Sequence, residues 1–353
     1  MAFKNMDLIE ALDAFPDAAR DPARHAAAMA SLYTVEWADS DDERPYAIGY
    51  MQHSVLAALA AVRPVELASL GLATDVDVAA VAAATGTVPL HRLLAGHADV
   101  EGRTRAMAAL CAHWRAADAF RLLRGWRDEL WPVYGRDGRL LLSLERAAVG
   151  LFGAARYGVH MTAYVDDDQT DLRIWVPKRA ADKSTYPGML DNTVAGGLMT
   201  GEDPFECLVR EADEEASLPE RVVRQNSRAV GTITYVSVPD ERAGVDPGCA
   251  YVYPECQWVY DLLLPAPSSG HDDSDKDIIP LPKDGEVESF ALCSVAEVRD
   301  QLARGLYKPN CAVVMIDFLL RHGLLTRDDE PDYDAIVARL HRVLPFPGPH
   351  QHA

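Results

Sequence analysis

The sequence predicts an α/β protein of two domains, a smaller α+β domain over residues 1–148 and a larger α/β domain over 149–344, with a frayed tail at 345–353. Three observations predict it. The first is an alanine-rich, helix-periodic opening, in which "RTRAMAALCAHWRAADAFRLLRGW" places Met107, Leu110, Trp114, Ala117 and Phe120 on one helical stripe with arginines opposite. The second is a change of period in "LWPVYGRDGRLLLSL", where Asp137-Gly138 between two apolar runs marks a hairpin. The third is a strand-rich second half closed by helices. "HMTAYVDDDQTDLRIWVPKR" reads as a hairpin with strands near 160–165 and 172–177 around a polar tip, "GTITYVSV" and "CQWVYDLLL" as strands, and "CAVVMIDFLLRHG" and "DYDAIVARLHRVL" as helices. "PAPSSGHDDSDKDIIPLPKDG", 265–285, reads as a mobile surface loop within the second domain.

At 353 residues and 49% hydrophobic the chain has enough material for two cores. Its formal net charge of -20 argues against nucleic-acid and membrane partners, and implies that a phosphate-bearing ligand needs cations as mediators. No stretch approaches the roughly 20 apolar residues of a membrane span, and the opening segment carries acids where a targeting peptide would not, so a cytoplasmic location is expected. The six cysteines show no C-x-x-C pair and no metal-ligand spacing with histidine, and are read as reduced thiols.

The chemistry concentrates in "GGLMTGEDPFECLVREADEEASL", 196–218. Asp203 is a candidate N-cap and Pro204 a first helical residue, which predicts a helix over about 204–216. Glu211, Glu214 and Glu215 then fall at i, i+3 and i+4, on one face, with Cβ atoms roughly 5–6 Å apart. Like charges at that spacing destabilise a helix. They are explained either as a solvated acidic face or as oxygen ligands for a divalent cation such as Mg²⁺, which binds through one or two carboxylates together with substrate phosphates and water.

The flanking spacing separates the two. Gly196, Glu202, Arg210, Glu211, Glu214 and Glu215, with apolar Ala212 and Leu218, resemble the Nudix box, whose pattern has glycine where this chain has Ser217. At residue frequencies of about 5–8% each, such a match is expected by chance less than about once in a thousand chains of this length. The resemblance implies a Nudix fold, an α/β/α sandwich around a mixed sheet, and a hydrolase of phosphoanhydrides that uses Mg²⁺, or Mn²⁺ in its place. It implies that Glu214 and Glu215 are metal ligands and Glu211 a further ligand or the base. Gly196 would approach the metal with its carbonyl, and Arg210 and Glu202 would hold helix and loop in place. At Ser217 either the backbone takes a positive φ or the helix ends differently.

"WVPKRAADKSTYPGMLDNTVAGG", "DGEVESF" and "YKPNCAVVMIDFLLRHG" are similar to Nudix proteins of fungi and plants that carry an extra N-terminal domain and a thiamine-pyrophosphokinase-related label. That similarity implies a small-molecule substrate, the diphosphate of thiamine derivatives, chiefly oxidised or damaged forms. Hydrolysis of ADP-ribose or another nucleoside diphosphate derivative, or a silent ligand-binding Nudix module, are the alternatives. The stretch around Asn192 also resembles isopentenyl diphosphate isomerases, but Ala195 stands where their catalytic cysteine would be. Glu286 and Glu288 alternate along an expected strand, and Glu288 is the candidate late metal ligand. Lys183, with Lys178 and Arg179, is a candidate phosphate contact, and Trp175, Tyr186, Tyr235 and Trp258 are candidates for stacking on a substrate ring. Lys308 and Asn310 are open between loop packing and ligand contact.

Overall fold

The computed structural model describes residues 2–40, 43–167, 170–245, 248–267 and 278–351. The expected hairpin tip at 168–169 and the middle of the Pro/Ser/Asp/Gly segment, 268–277, lie outside the described residues.

The N-terminal part has a three-stranded sheet of β1 (Leu32–Trp37), β2 (Tyr46–Gln52) and β3 (Thr87–Pro89), in order β2-β1-β3, with β3 parallel to β1. The expected hairpin follows as β4 (Leu130–Tyr134) and β5 (Leu140–Glu145). Its turn puts Asp137 at φ 61° and Gly138 at φ 68°, the left-handed backbone that an Asp-Gly pair tolerates and that matches the twist of the strands. The apolar stripe predicted around Trp114 lies on a helix, Val100–Ala116, with Met107, Leu110 and Trp114 buried. Ala117 and Phe120 do not extend that stripe: the helix ends at Ala116, the chain reverses through Asp118 at φ 50°, and Phe120 reaches the same core from the loop beyond, edge-on to Trp114.

The second part is a six-stranded mixed sheet of β6 (Arg156–Asp167), β7 (Thr170–Arg179), β8 (Val194–Gly197), β9 (Ser227–Ser237), β10 (Tyr253–Leu263) and β11 (Val287–Ser294). The order is β11-β7-β6-β10-β9, with β8 also on β6; β6 and β10 run parallel and the other pairs antiparallel. Alternation along the strands sends side chains to two cores. Val159, Met161, Ala163 and Trp175 meet the helix Pro204–Ala216 on one face. Ile174, Val176, Ile233 and Val259 meet the helix Pro309–Arg321 on the other. The result is the α/β/α sandwich that the box implied.

The first helix, Asn5–Leu12, crosses back to that second layer, where Ile9 and Leu12 pack with the Pro309–Arg321 helix and the buried Asp13 pairs with Arg342 at 2.7 Å. The tail expected to be frayed is anchored at Phe346, 1% exposed, whose ring meets Tyr50 edge-on at 4.8 Å. An apolar ring that finds a preformed aromatic cavity gains more from burial than the chain end loses in freedom. Among the described residues no helix is long and apolar enough to cross a membrane.

Ser217 ends its helix at φ 54° and ψ 25°, while the Leu218 N–H returns to the Ala212 carbonyl at 3.0 Å, a closure that ordinarily takes glycine. Of the two expectations for this position, positive φ holds. Ser217→Gly is therefore expected to raise stability by about 1 kcal/mol or less, relief of strain outweighing the freedom of glycine in the unfolded chain. Chemical denaturation of the two proteins checks it, and a clear loss of stability would contradict the strain.

Candidate active site

Asp203 accepts hydrogen bonds from the Phe205 and Glu206 amides at 2.8 and 3.2 Å and Pro204 opens the first turn, so the helix starts where its capping residues predict. Cys207, Leu208, Ala212 and Ala216 bury its inner face. The three glutamates on the adjoining face differ sharply in exposure: the Glu214 side chain is 48% exposed and Glu211 15%, and Glu215 is 9% exposed.

Arg210 organises them. Its guanidinium donates to both Glu202 oxygens at 2.8 and 3.2 Å, to Glu211 at 2.9 Å and to Glu214 at 2.9 Å. Glu202 in turn accepts from the Met199 amide at 3.2 Å, which ties the loop to the helix. On the sheet side, Glu215 accepts from the Ala195 amide of β8 at 2.9 Å. A Cβ on Gly196 would sit 2.2 Å from the Glu211 carboxyl carbon, so only glycine lets this carboxylate lie against the strand.

Burial pushes the Glu211 carboxyl up to about 7, against the pull of Arg210 and, more weakly, of Arg146. Burial also raises Glu215 well above the ordinary carboxylate value, and the negative charges of Glu211 and Asp191 add to it. Two neighbouring buried carboxylates that resist ionisation have the electrostatics of a site completed by a cation. Among the described residues, no three acidic, histidine or cysteine side chains converge as a ready-made cage, because Arg210 holds Glu211 and Glu214 and the Ala195 amide holds Glu215. The donor set fits a hard divalent cation that keeps water or phosphate oxygens for most of its ligands, with Glu211, Glu214 and Glu215 as the protein's share.

Above Gly196 opens a cavity of about 670 Å³, walled by both domains. Trp131, Arg127 and Arg146 come from the N-terminal part, and Ala195, Gly197, His160, Gln257, Lys308 and Asn310 from the Nudix-like part. Lys308 and Asn310, ambiguous in the sequence, thus face a ligand-sized space. His160 is held neutral: burial brings it down to about 4, its Nδ1 is 2.8 Å from the Asn192 amide oxygen, and the Asn310 amide nitrogen lies 3.3 Å from Nε2. Asp191, buried beside it, is drawn down to about 2, the cost of burial being outweighed by Lys308 and Arg179, the latter 2.6 Å away.

The remaining candidates separate. Tyr235 lines the cavity, its hydroxyl donating to Glu255 at 2.9 Å, and Tyr186 lines it as well. Trp175 does not: strand alternation turns it away from Ile174 and Val176 into the core under the Pro204–Ala216 helix. Trp258 also packs outside the cavity, against Tyr157. Lys183 is paired with Glu286, not directed at the cavity. Glu288 departs most from expectation. It is the extra residue of a bulge between Val287 and Ser289, half exposed, and bonds Lys178 at 2.9 Å. The bulge breaks the alternation that aligned Glu286 with Glu288, and it is Glu286 whose charge bears on Glu215. His160, Arg127, Arg146 and Trp131 were not singled out from the sequence, since none belongs to a motif and only the fold brings the β4–β5 hairpin and β6 to one cavity.

Residues 156–311 match the family described as NUDIX domain, and residues 77–156 match one described as a domain of unknown function, DUF4743. Over 264 residues the chain is 38% identical to an uncharacterized protein of Saccharomyces cerevisiae, covering 73% of each. It is 38% identical over 243 residues to Arabidopsis thaliana Nudix hydrolase 20, chloroplastic, and 36% identical over 243 residues to Nudix hydrolase 24, chloroplastic, of the same plant. Those alignments cover 68% of this chain but 58% and 60% of the plant proteins. The chain belongs to the Nudix hydrolase family.

The raised Glu211 carboxyl has a consequence for the metal-free protein. A carboxyl that holds its proton more tightly when folded contributes stability below the unfolded value near 4.5, and that contribution is lost as pH rises through about 7. In chelator, wild-type stability should fall from pH 5 to pH 8 by up to about 3 kcal/mol more than that of Glu211→Gln, and a divalent cation should reduce the difference. Parallel pH profiles of melting temperature for the two proteins would refute the burial of this charge.

Proposed function

We propose that this Nudix hydrolase works with Mg²⁺, or Mn²⁺ in its place, and cleaves the diphosphate of thiamine derivatives, chiefly oxidised ones, to the monophosphate and inorganic phosphate. When bound, the cation neutralises the diphosphate and makes a coordinated water acidic. The protein's part is to hold it with Glu211, Glu214 and Glu215, to keep Glu211 and Glu214 aligned through Arg210, and to take the proton of the attacking water on a box carboxylate. Attack at the terminal phosphorus breaks its bond to the bridging oxygen, which leaves on the monophosphate.

The observation that carries the substrate class is the state of the cavity's aromatic faces. Arg156 lies 3.8 Å over Tyr253 and 5.4 Å from Trp131, Arg146 lies 5.3 Å from Trp131, and Arg242 lies 5.4 Å from Tyr186. Guanidinium groups already occupy positions from which a thiazolium cation would be attracted. They leave a positively charged lining that disfavours a cationic ring and tolerates a neutral, oxidised one. The expected preference is about 1–2 kcal/mol, as for small differences in a pocket.

Phosphate release measured across a panel of diphosphates with Mg²⁺ tests this reading. Oxidised thiamine diphosphates should exceed thiamine diphosphate. Much faster cleavage of ADP-ribose or a dinucleoside polyphosphate would remove the thiamine assignment and leave the Nudix chemistry. Glu215→Gln, whose amide oxygen still accepts from Ala195, should lose most of the turnover yet be as stable as wild type without metal, because a buried carboxyl that resists ionisation is replaced by a neutral amide. Wild-type turnover in that variant would sink the metal role of Glu215.

A further inference from the structure

The N-terminal domain does more than precede the hydrolase domain, because its hairpin is fastened to the box loop itself. The Thr200 amide donates to the Leu130 carbonyl of β4 at 2.8 Å, and the Thr200 hydroxyl donates to Ser143 of β5 at 2.8 Å. Trp131 lies so close over Gly197 that a Cβ there would come within 2.5 Å of its ring. Thr200 and Gly197, three and six positions upstream of the helix-capping Asp203, are thus held by a different domain.

The same hairpin carries cations to the cavity mouth. Arg146, just after β5, is steadied by Glu129 at 2.8 Å and by the face of Trp131. Arg127, just before β4, has its backbone amide held by the buried Glu145 at 2.9 Å, while its side chain is exposed. Both line the cavity that opens over Gly196, together with Arg156 and Lys308. In a chain of net charge -20 this is a local concentration of positive charge, and guanidinium forks match phosphate oxygens in geometry as well as sign.

We propose that the β4–β5 hairpin of the N-terminal domain is the anion-binding wall of the active site, with Arg127 and Arg146 contacting the phosphate oxygens of the bound diphosphate. The assignment rests on the diphosphate-hydrolase chemistry of the box and not on the organic group the substrate carries. It gives the N-terminal domain a direct share in substrate binding.

The test uses the full chain and a diphosphate with no organic group. Calorimetry with methylenediphosphonate and Mg²⁺ should show binding to the wild type, and each of Arg127→Gln and Arg146→Gln should weaken it by about tenfold, the loss of one charge-assisted contact. Arg127→Lys should recover part of the loss. Each Gln variant should raise KM more than it lowers kcat, and the slope of log Kd against log salt should become shallower. Arg63→Ala, at an exposed residue outside the cavity lining where Arg63 pairs with Glu66 at 2.6 Å, serves as the control and should bind as wild type. Arg127 is exposed, so its variant reads binding even where Arg146→Gln unfolds. Wild-type affinity in a folded Arg127→Gln protein, or no binding of the probe to the wild type, would overturn the wall whichever organic diphosphate is hydrolysed.

Discussion

Two carboxylates of one helix face, the buried Glu215 and the largely covered Glu211, lie against the edge of a β-sheet, and the surrounding structure is arranged to make that tolerable. Transfer of charged carboxylates out of water is costly unless partners compensate. The partners here are few and placed: the Ala195 amide for Glu215, and Arg210 for Glu211. Arg210 is itself fixed by Glu202, so the loop before the helix cannot drift without releasing the carboxylates. Glycine at 196 and the left-handed Ser217 follow from the same constraint, since the first admits the carboxylate to the strand and the second ends the helix one residue after Ala216.

This arrangement trades stability for function. Three acids at helical spacing on a half-buried face repel one another, which lowers the stability of the metal-free protein and leaves a charge that a divalent cation would neutralise. Arg210 sits at the balance point, bonding carboxylates that a bound cation would also need.

The cavity shows how a second domain can alter a common hydrolase site. The box supplies the floor, while a hairpin from the N-terminal domain supplies Trp131 and two arginines above it. Arginine planes near Trp131 and Tyr253 make these rings less attractive to a cationic ligand than bare rings would be. The positive lining is set in a strongly acidic protein, so the field that a diphosphate meets is local to the cavity and does not belong to the molecule as a whole.

Sequence alone determined what depends on neighbours within a turn or two of chain. Asp203 and Pro204 set the start of the box helix, the spacing of Glu211, Glu214 and Glu215 set their common face, and Asp137-Gly138 set the hairpin turn, because capping, helical period and turn geometry are local properties. The departure at Ser217 was legible for the same reason, although which of two backbone solutions it takes was not. Tertiary structure alone decided which glutamates are buried, since Glu214 and Glu215 are adjacent in sequence yet one faces water and the other the sheet. It decided that Glu288 sits in a bulge while the charge of Glu286 bears on Glu215, that alternation sends Trp175 into the core, and that Phe346 anchors a tail whose composition reads as loose. It also brought Arg127, Arg146, His160 and Asn310 to one cavity. Such convergence depends on strand register and on how two domains dock, and neither quantity is encoded in any short window of residues.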